Sequence, residues 1–123
     1  MSARALLYAQ LITLAILATL HLVGLEYHFY WRFIWLDTVS HALGGMWAAF
    51  FLFWLRMYFG YMPSVAWGIA GALILGVIWE AFELVAGLVP EANYALDTSI
   101  DLLMDAVGGV LAAAVSHYLA LTR

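Results

Sequence analysis

The sequence predicts an all-α, polytopic membrane protein: a bundle of four transmembrane helices with a short interfacial aromatic segment on its outer side. Three observations lead there. Hydrophobic residues fill 67% of the 123 positions and charged residues only 10%, and the mean hydropathy is +1.00, far outside soluble composition. Four apolar windows, approximately 5–25, 37–59, 65–89 and 100–121, each reach the length of about 20 residues that a helix needs to cross a bilayer core. The chain left between them is too short for a separate soluble domain, so residues 1–123 read as a single transmembrane unit.

The first window follows Arg4 and has no small-x-small cleavage pattern near Leu22 to Glu26, so it reads as a retained helix and not a signal peptide. The connection after it is crowded with Tyr27, Phe29, Tyr30, Trp31, Phe33 and Trp35, a density suited to the headgroup boundary. A tight turn carrying Pro63 separates the second and third windows, because proline cannot continue a helix interior. The third connection, from Pro90 to Ser99, is polar and acidic. All four basic residues are arginines. Arg4, Arg56 and Arg123 fall on one side of a four-span arrangement and Arg32 on the other, so the positive-inside rule places both termini in the cytoplasm and the protein in the cell membrane.

Cysteine is absent, which excludes disulfides, thiolate metal sites and cysteine nucleophiles. No glycine-rich phosphate loop or basic nucleic-acid patch is present. His21 and His28 are spaced to share a helical face, but His28 falls beyond the span, and His117 lies at the cytoplasmic end, so a bis-histidine haem site is not supported.

One pattern occurs twice. Asp37, His41, Gly44, Gly45, Ala48 and Ala49 are matched in spacing by Asp101, Asp105, Gly108, Gly109, Ala112 and Ala113. On a helix, each copy places two titratable side chains one turn apart above a stripe of small residues, which lets another helix approach closely. With a rise of about 1.5 Å per residue, His41 lies roughly 6 Å below Asp37, and Asp105 roughly 6 Å below Asp101. In the third span Glu80 and Glu83 form an i,i+3 pair, bracketed by Gly76 and Gly87 on the same side. Asp97 stands at the mouth of the fourth span, with N-cap character ahead of Thr98 and Ser99.

These acids and His41 therefore converge from three helices on the outer leaflet, where Arg32 is the one fixed cation. An unpaired charge at a helix centre costs about 2.5–3.5 kcal/mol on insertion scales, so the cluster requires protonation, a cation or a water-filled cavity. A mixed carboxylate and histidine set suits a divalent ion such as Mg, Mn, Fe or Zn better than Ca. The candidate ligands are Asp37, His41, Glu80, Glu83, Asp101 and Asp105, with Asp97 peripheral.

Asp37-x-x-x-His41-x-x-x-Gly45, Trp79-Glu80-x-x-Glu83 and Asp97-x-x-x-Asp101-x-x-x-Asp105-x-x-Gly108 resemble, in order and spacing, the VanZ-like and YjdF-type small membrane proteins. The resemblance covers about 36–113. Glu83 and Asp105 stand where the VanZ pattern usually has Gln and Asn, which brings the chain nearer the YjdF type. VanZ is associated with low-level teicoplanin resistance. The resemblance implies the architecture and the choice of polar residues, and no reaction.

Two readings follow. In the first, the metal supports hydrolysis or group transfer on a membrane lipid or lipid-linked phosphate, with Glu80 and Glu83 as the catalytic acids and bases. In the second, the chain is a non-catalytic cation or proton carrier, or an accessory subunit, either as a homo-oligomer or beside a partner in a membrane complex. The nearly apolar stretches 48–59 and 110–121 show no inward path and favour a one-sided site.

Overall fold

A computed structural model describes residues 1–88 and 92–122. Val89, expected to end the third span, Pro90 at the start of the next connection, and Arg123 lie outside the described residues. The described chain is helical: α1 (Ala3–Glu26), α2 (Phe29–Arg32), α3 (Trp35–Met57), α4 (Val65–Ala86) and α5 (Tyr94–Leu121). The four long helices are each long and apolar enough to cross a membrane.

Local chemistry sets their ends. The Ser2 and Ser64 hydroxyls accept from the backbone N–H groups of Ala5 and Trp67, satisfying donors that the first helical turn leaves free. Gly87 closes α4 in the left-handed region at φ 70°, which lets the Leu88 N–H reach back 2.9 Å to the Glu83 carbonyl, a helix stop that favours glycine. At the other end of α4, the Arg56 guanidinium lies 4.0 Å from the Trp67 ring centroid and 4.8 Å from that of Tyr61. The turn is thereby fixed by cation–π contacts.

Two expectations are corrected here. α5 begins at Tyr94, after Asn93 in the left-handed region, and Asp97 lies within its first turn and not at its N-cap. Gly87 is the C-cap of α4, and a Cβ there would meet nothing within 4 Å, so it forms no part of a packing face with Gly76.

Helices α3, α4 and α5 pack against one another, and α1 lies against α3. The interior is built from small residues: Ala49, Ala72 and Ala112 are fully buried, while Ile74, Val77, Ile78 and Leu103 are exposed. That inversion is costly in water and natural in lipid, where close backbone packing drives association. Leu6, Phe50 and Phe53 join Ala49, Ala112 and Ala113 in an apolar core toward the C-terminal ends of α3 and α5. The buried acids gather nearer the opposite end.

The doubled glycine pair is used asymmetrically. Gly45 faces the Asp105 backbone, and Gly108 faces the Ala42 carbonyl, joining α3 to α5. Gly109 meets Gly68 of α4, while Gly44 faces open space. Successive residues of α5 thus touch different neighbours, and α5 wedges between α3 and α4.

Candidate functional site

His41 is the centre of the polar group, and α3 and α5 together position it. Gly45 and Gly108 bring the two helices close enough for the imidazole to cross the seam directly. Its Nδ1 lies 3.4 Å from Asp105 Oδ1. Its Nε2 lies 3.6 Å from Asp101 Oδ2 and 3.9 Å from Asp37 Oδ1. His41, Asp101 and Asp105 are buried, whereas the Asp37 side chain is 49% exposed and forms the open edge of the group.

With Nδ1–H donating to Asp105, Nε2 turns its lone pair toward two carboxylate oxygens. Such an arrangement is repulsive until a cation, either a proton or a metal ion, sits at Nε2. One donor atom each from Asp37, His41 and Asp101 lies within 4.8 Å of the other two, a grouping that could hold a metal ion. Donors held about 2.1 Å from a shared ion at tetrahedral angles are about 3.4 Å apart, so the observed Nε2 distances need only small side-chain adjustment. Asp105, on the far ring nitrogen, fixes the tautomer and ring plane as carboxylates beside metal-bound histidines do.

The two α4 acids differ in burial and in partners. Glu80 is buried and accepts a 2.9 Å hydrogen bond from Thr98 Oγ1 through Oε2, while Glu83 is only half-buried. Neither belongs to the three-residue ligand group, and neither lies between the α3 and α5 residues, because His41 meets Asp101 and Asp105 without an intermediary. Glycine again explains this: no side chain separates α3 from α5 at that level. Asp97, in the first turn of α5, is also only half-buried.

A family model described as "Predicted membrane protein (DUF2238)" matches residues 5–122. The chain belongs to this family. The DUF2238 match runs from α1 through α5, so the His41 group lies wholly within it. No match is found among curated proteins or among solved structures.

Two polar features of this DUF2238 chain escape a reading by motif. Thr98 sits in a run read as helix-entry residues, yet its hydroxyl serves Glu80 on another helix. Tyr30 sits among interfacial aromatics, yet its hydroxyl lies 2.8 Å from His21 Nδ1 and 3.1 Å from Ser40 Oγ, and Ser40 donates at 2.9 Å to the Leu36 carbonyl. That last bond gives the chain a direction: Ser40 uses its proton on Leu36, Tyr30 donates to Ser40, and His21 donates to Tyr30. α2 is thereby tied to α1 and α3. Tyr30→Phe is expected to cost about 1 kcal/mol in denaturant unfolding, and His21→Phe in the Tyr30→Phe background to cost little more, since the bond is already gone.

Proposed function

We propose that this DUF2238 protein is a divalent-metal membrane protein whose ion is held by Asp37, His41 and Asp101 at the outer face of the cell membrane. The carrying observation is that His41 Nε2 faces two carboxylate oxygens while Asp105 holds Nδ1. Three protein ligands with a half-exposed one at the edge leave a coordination position for water or substrate, the pattern of catalytic sites. The mixed oxygen and nitrogen set suits Zn, Fe or Mn, with Mg also compatible.

The chemistry we infer is metal-assisted hydrolysis or transfer on a lipid or lipid-linked phosphate. An ion at the bundle end lies near the depth of lipid phosphates, where it would polarise the phosphoryl oxygen and activate water. Glu83, half-buried and outside the ligand group, is the residue we infer as general base. Arg4 and Arg56 on the other side support cytoplasmic termini. The motif order further supports kinship with the YjdF-type proteins, nearer than with VanZ.

A carrier would need a route past Asp105. There the seam is closed by Gly108 against Ala42 and by Gly68 against Gly109, which favours the one-sided reading.

Chelator-stripped protein in nanodiscs, titrated with Co2+, provides the test. The expected result is the intense visible spectrum of a low-symmetry histidine-containing site, absent in His41→Gln, together with metal-dependent phosphate release from phosphatidic acid vesicles. A wild-type protein without that spectrum, or a spectrum that survives His41→Gln, overturns the metal assignment. Intact spectra without phosphate release overturn this choice of substrate.

A further inference from the structure

A second group of buried oxygens lies on the α4 side of Asp105, and the His41 group does not use it. Glu80 and Asp105 are only 6% and 4% exposed. Each has one carboxylate oxygen engaged: Glu80 Oε2 with Thr98, and Asp105 Oδ1 with His41. The remaining atoms, Glu80 Oε1 and Asp105 Oδ2, are buried without a hydrogen-bond partner among the described residues. Asp105 Oδ2 points at Gly76, where a Cβ would collide with it. Glu80 follows Gly76 by one turn on the same face of α4. The two orphaned oxygens therefore open toward one seam, between α4 and α5, at a place where α4 carries no side chain.

Charge makes the same demand. A divalent ion on Asp37, His41 and Asp101 balances two carboxylates and leaves Asp105 and Glu80 uncompensated. Among the described residues His41 is the one ion-pair partner that any acid has, and Glu80 has none. Buried carboxylates in lipid need either a proton or a counter-charge.

We propose a second cation site in the α4–α5 seam, formed by Glu80 Oε1 and Asp105 Oδ2, with the Thr98 hydroxyl positioning Glu80 by donating to its other oxygen, Oε2. Its donors are all oxygen, so it takes a hard divalent cation of the Mg2+ or Mn2+ type. Asp105 then serves both sites, orienting His41 through one oxygen and binding the second ion through the other. The inference rests on the His41 reading only for the charge balance. Its donor atoms, apart from Asp105, are separate.

Mn2+ bound per chain, counted by electron paramagnetic resonance on chelator-stripped protein in nanodiscs, tests it alongside the Co2+ spectrum. Two ions are expected for wild type, and one each for Glu80→Gln, Thr98→Val and His41→Gln, with the histidine-type Co2+ spectrum retained in the first two. Both α4–α5 variants are near-isosteric, and a matching unfolding midpoint confirms the fold. A wild-type count of one or two that survives both Glu80→Gln and Thr98→Val overturns the second site while leaving the His41 centre standing. A wild-type count of none overturns the second site, and loss of the Co2+ spectrum as well overturns the His41 centre.

Discussion

Alanine at Gly108 is expected to destabilise the bundle by about 3 kcal/mol, while alanine at Gly44 leaves it unchanged or stabilises it by up to about 1 kcal/mol. Both residues are mid-helix glycines in equivalent places of the doubled pattern. A Cβ on Gly108 would run into the Ala42 carbonyl and lie 2.7 Å from the Met46 nitrogen. Those are backbone atoms and cannot rotate aside, so α3 and α5 must separate. A Cβ on Gly44 meets nothing within 4 Å, and only the helix-propensity gain remains. Gly45→Ala, facing the Asp105 backbone, should behave like Gly108→Ala. Unfolding of detergent-solubilised protein with increasing denaturing detergent measures all three, and equal behaviour of Gly44→Ala and Gly45→Ala would refute the packing described for α3.

His41→Ala is expected to cost about 3–5 kcal/mol in chelator-treated protein, the penalty for breaking a buried charge network by removing one partner. The imidazole is the group that Asp101 and Asp105 share, at 3.6 and 3.4 Å. Without it, the Asp101 and Asp105 carboxylates of α5 stay buried with no cationic partner from α3. The decisive comparison is the triple variant His41→Ala, Asp101→Asn, Asp105→Asn. It should recover most of the loss, because the amides carry no charge that needs compensation. A triple variant no more stable than His41→Ala would mean that lost packing, and not electrostatics, carries the cost.

Much of this architecture is legible in the residues, for identifiable reasons. Span length and hydropathy fix α1, α3, α4 and α5, since a membrane leaves few alternatives for apolar runs of about 20 residues. Spacing by four fixes which side chains share a face, so the meeting of Asp37 and His41 with Asp101 and Asp105 follows once the helices adjoin. Spacing does not say which helix each face touches. Gly44 and Gly45 are indistinguishable in sequence, yet only one lies at the seam. Long-range polar partners are harder still. Thr98 and Tyr30 are ordinary residues of a helix entry and an aromatic belt, and only the tertiary fold gives their hydroxyls a specific bond.

The wedge formed by α5 also bears on how the protein is made. Asp37 and His41 belong to α3, while Asp101 and Asp105 belong to α5, which leaves the ribosome after α3 and α4. Until α5 enters the membrane, the imidazole has no carboxylate from that helix beside it, and the α3 and α4 glycines that α5 will cover face lipid. The proposed ligand set is therefore complete only once α5 has inserted, and a chain stalled before Tyr94 carries only its α3 half. Membrane-embedded polar groups without partners are the kind of defect that membrane quality control can read. Assembly of this centre waits on the arrival of α5.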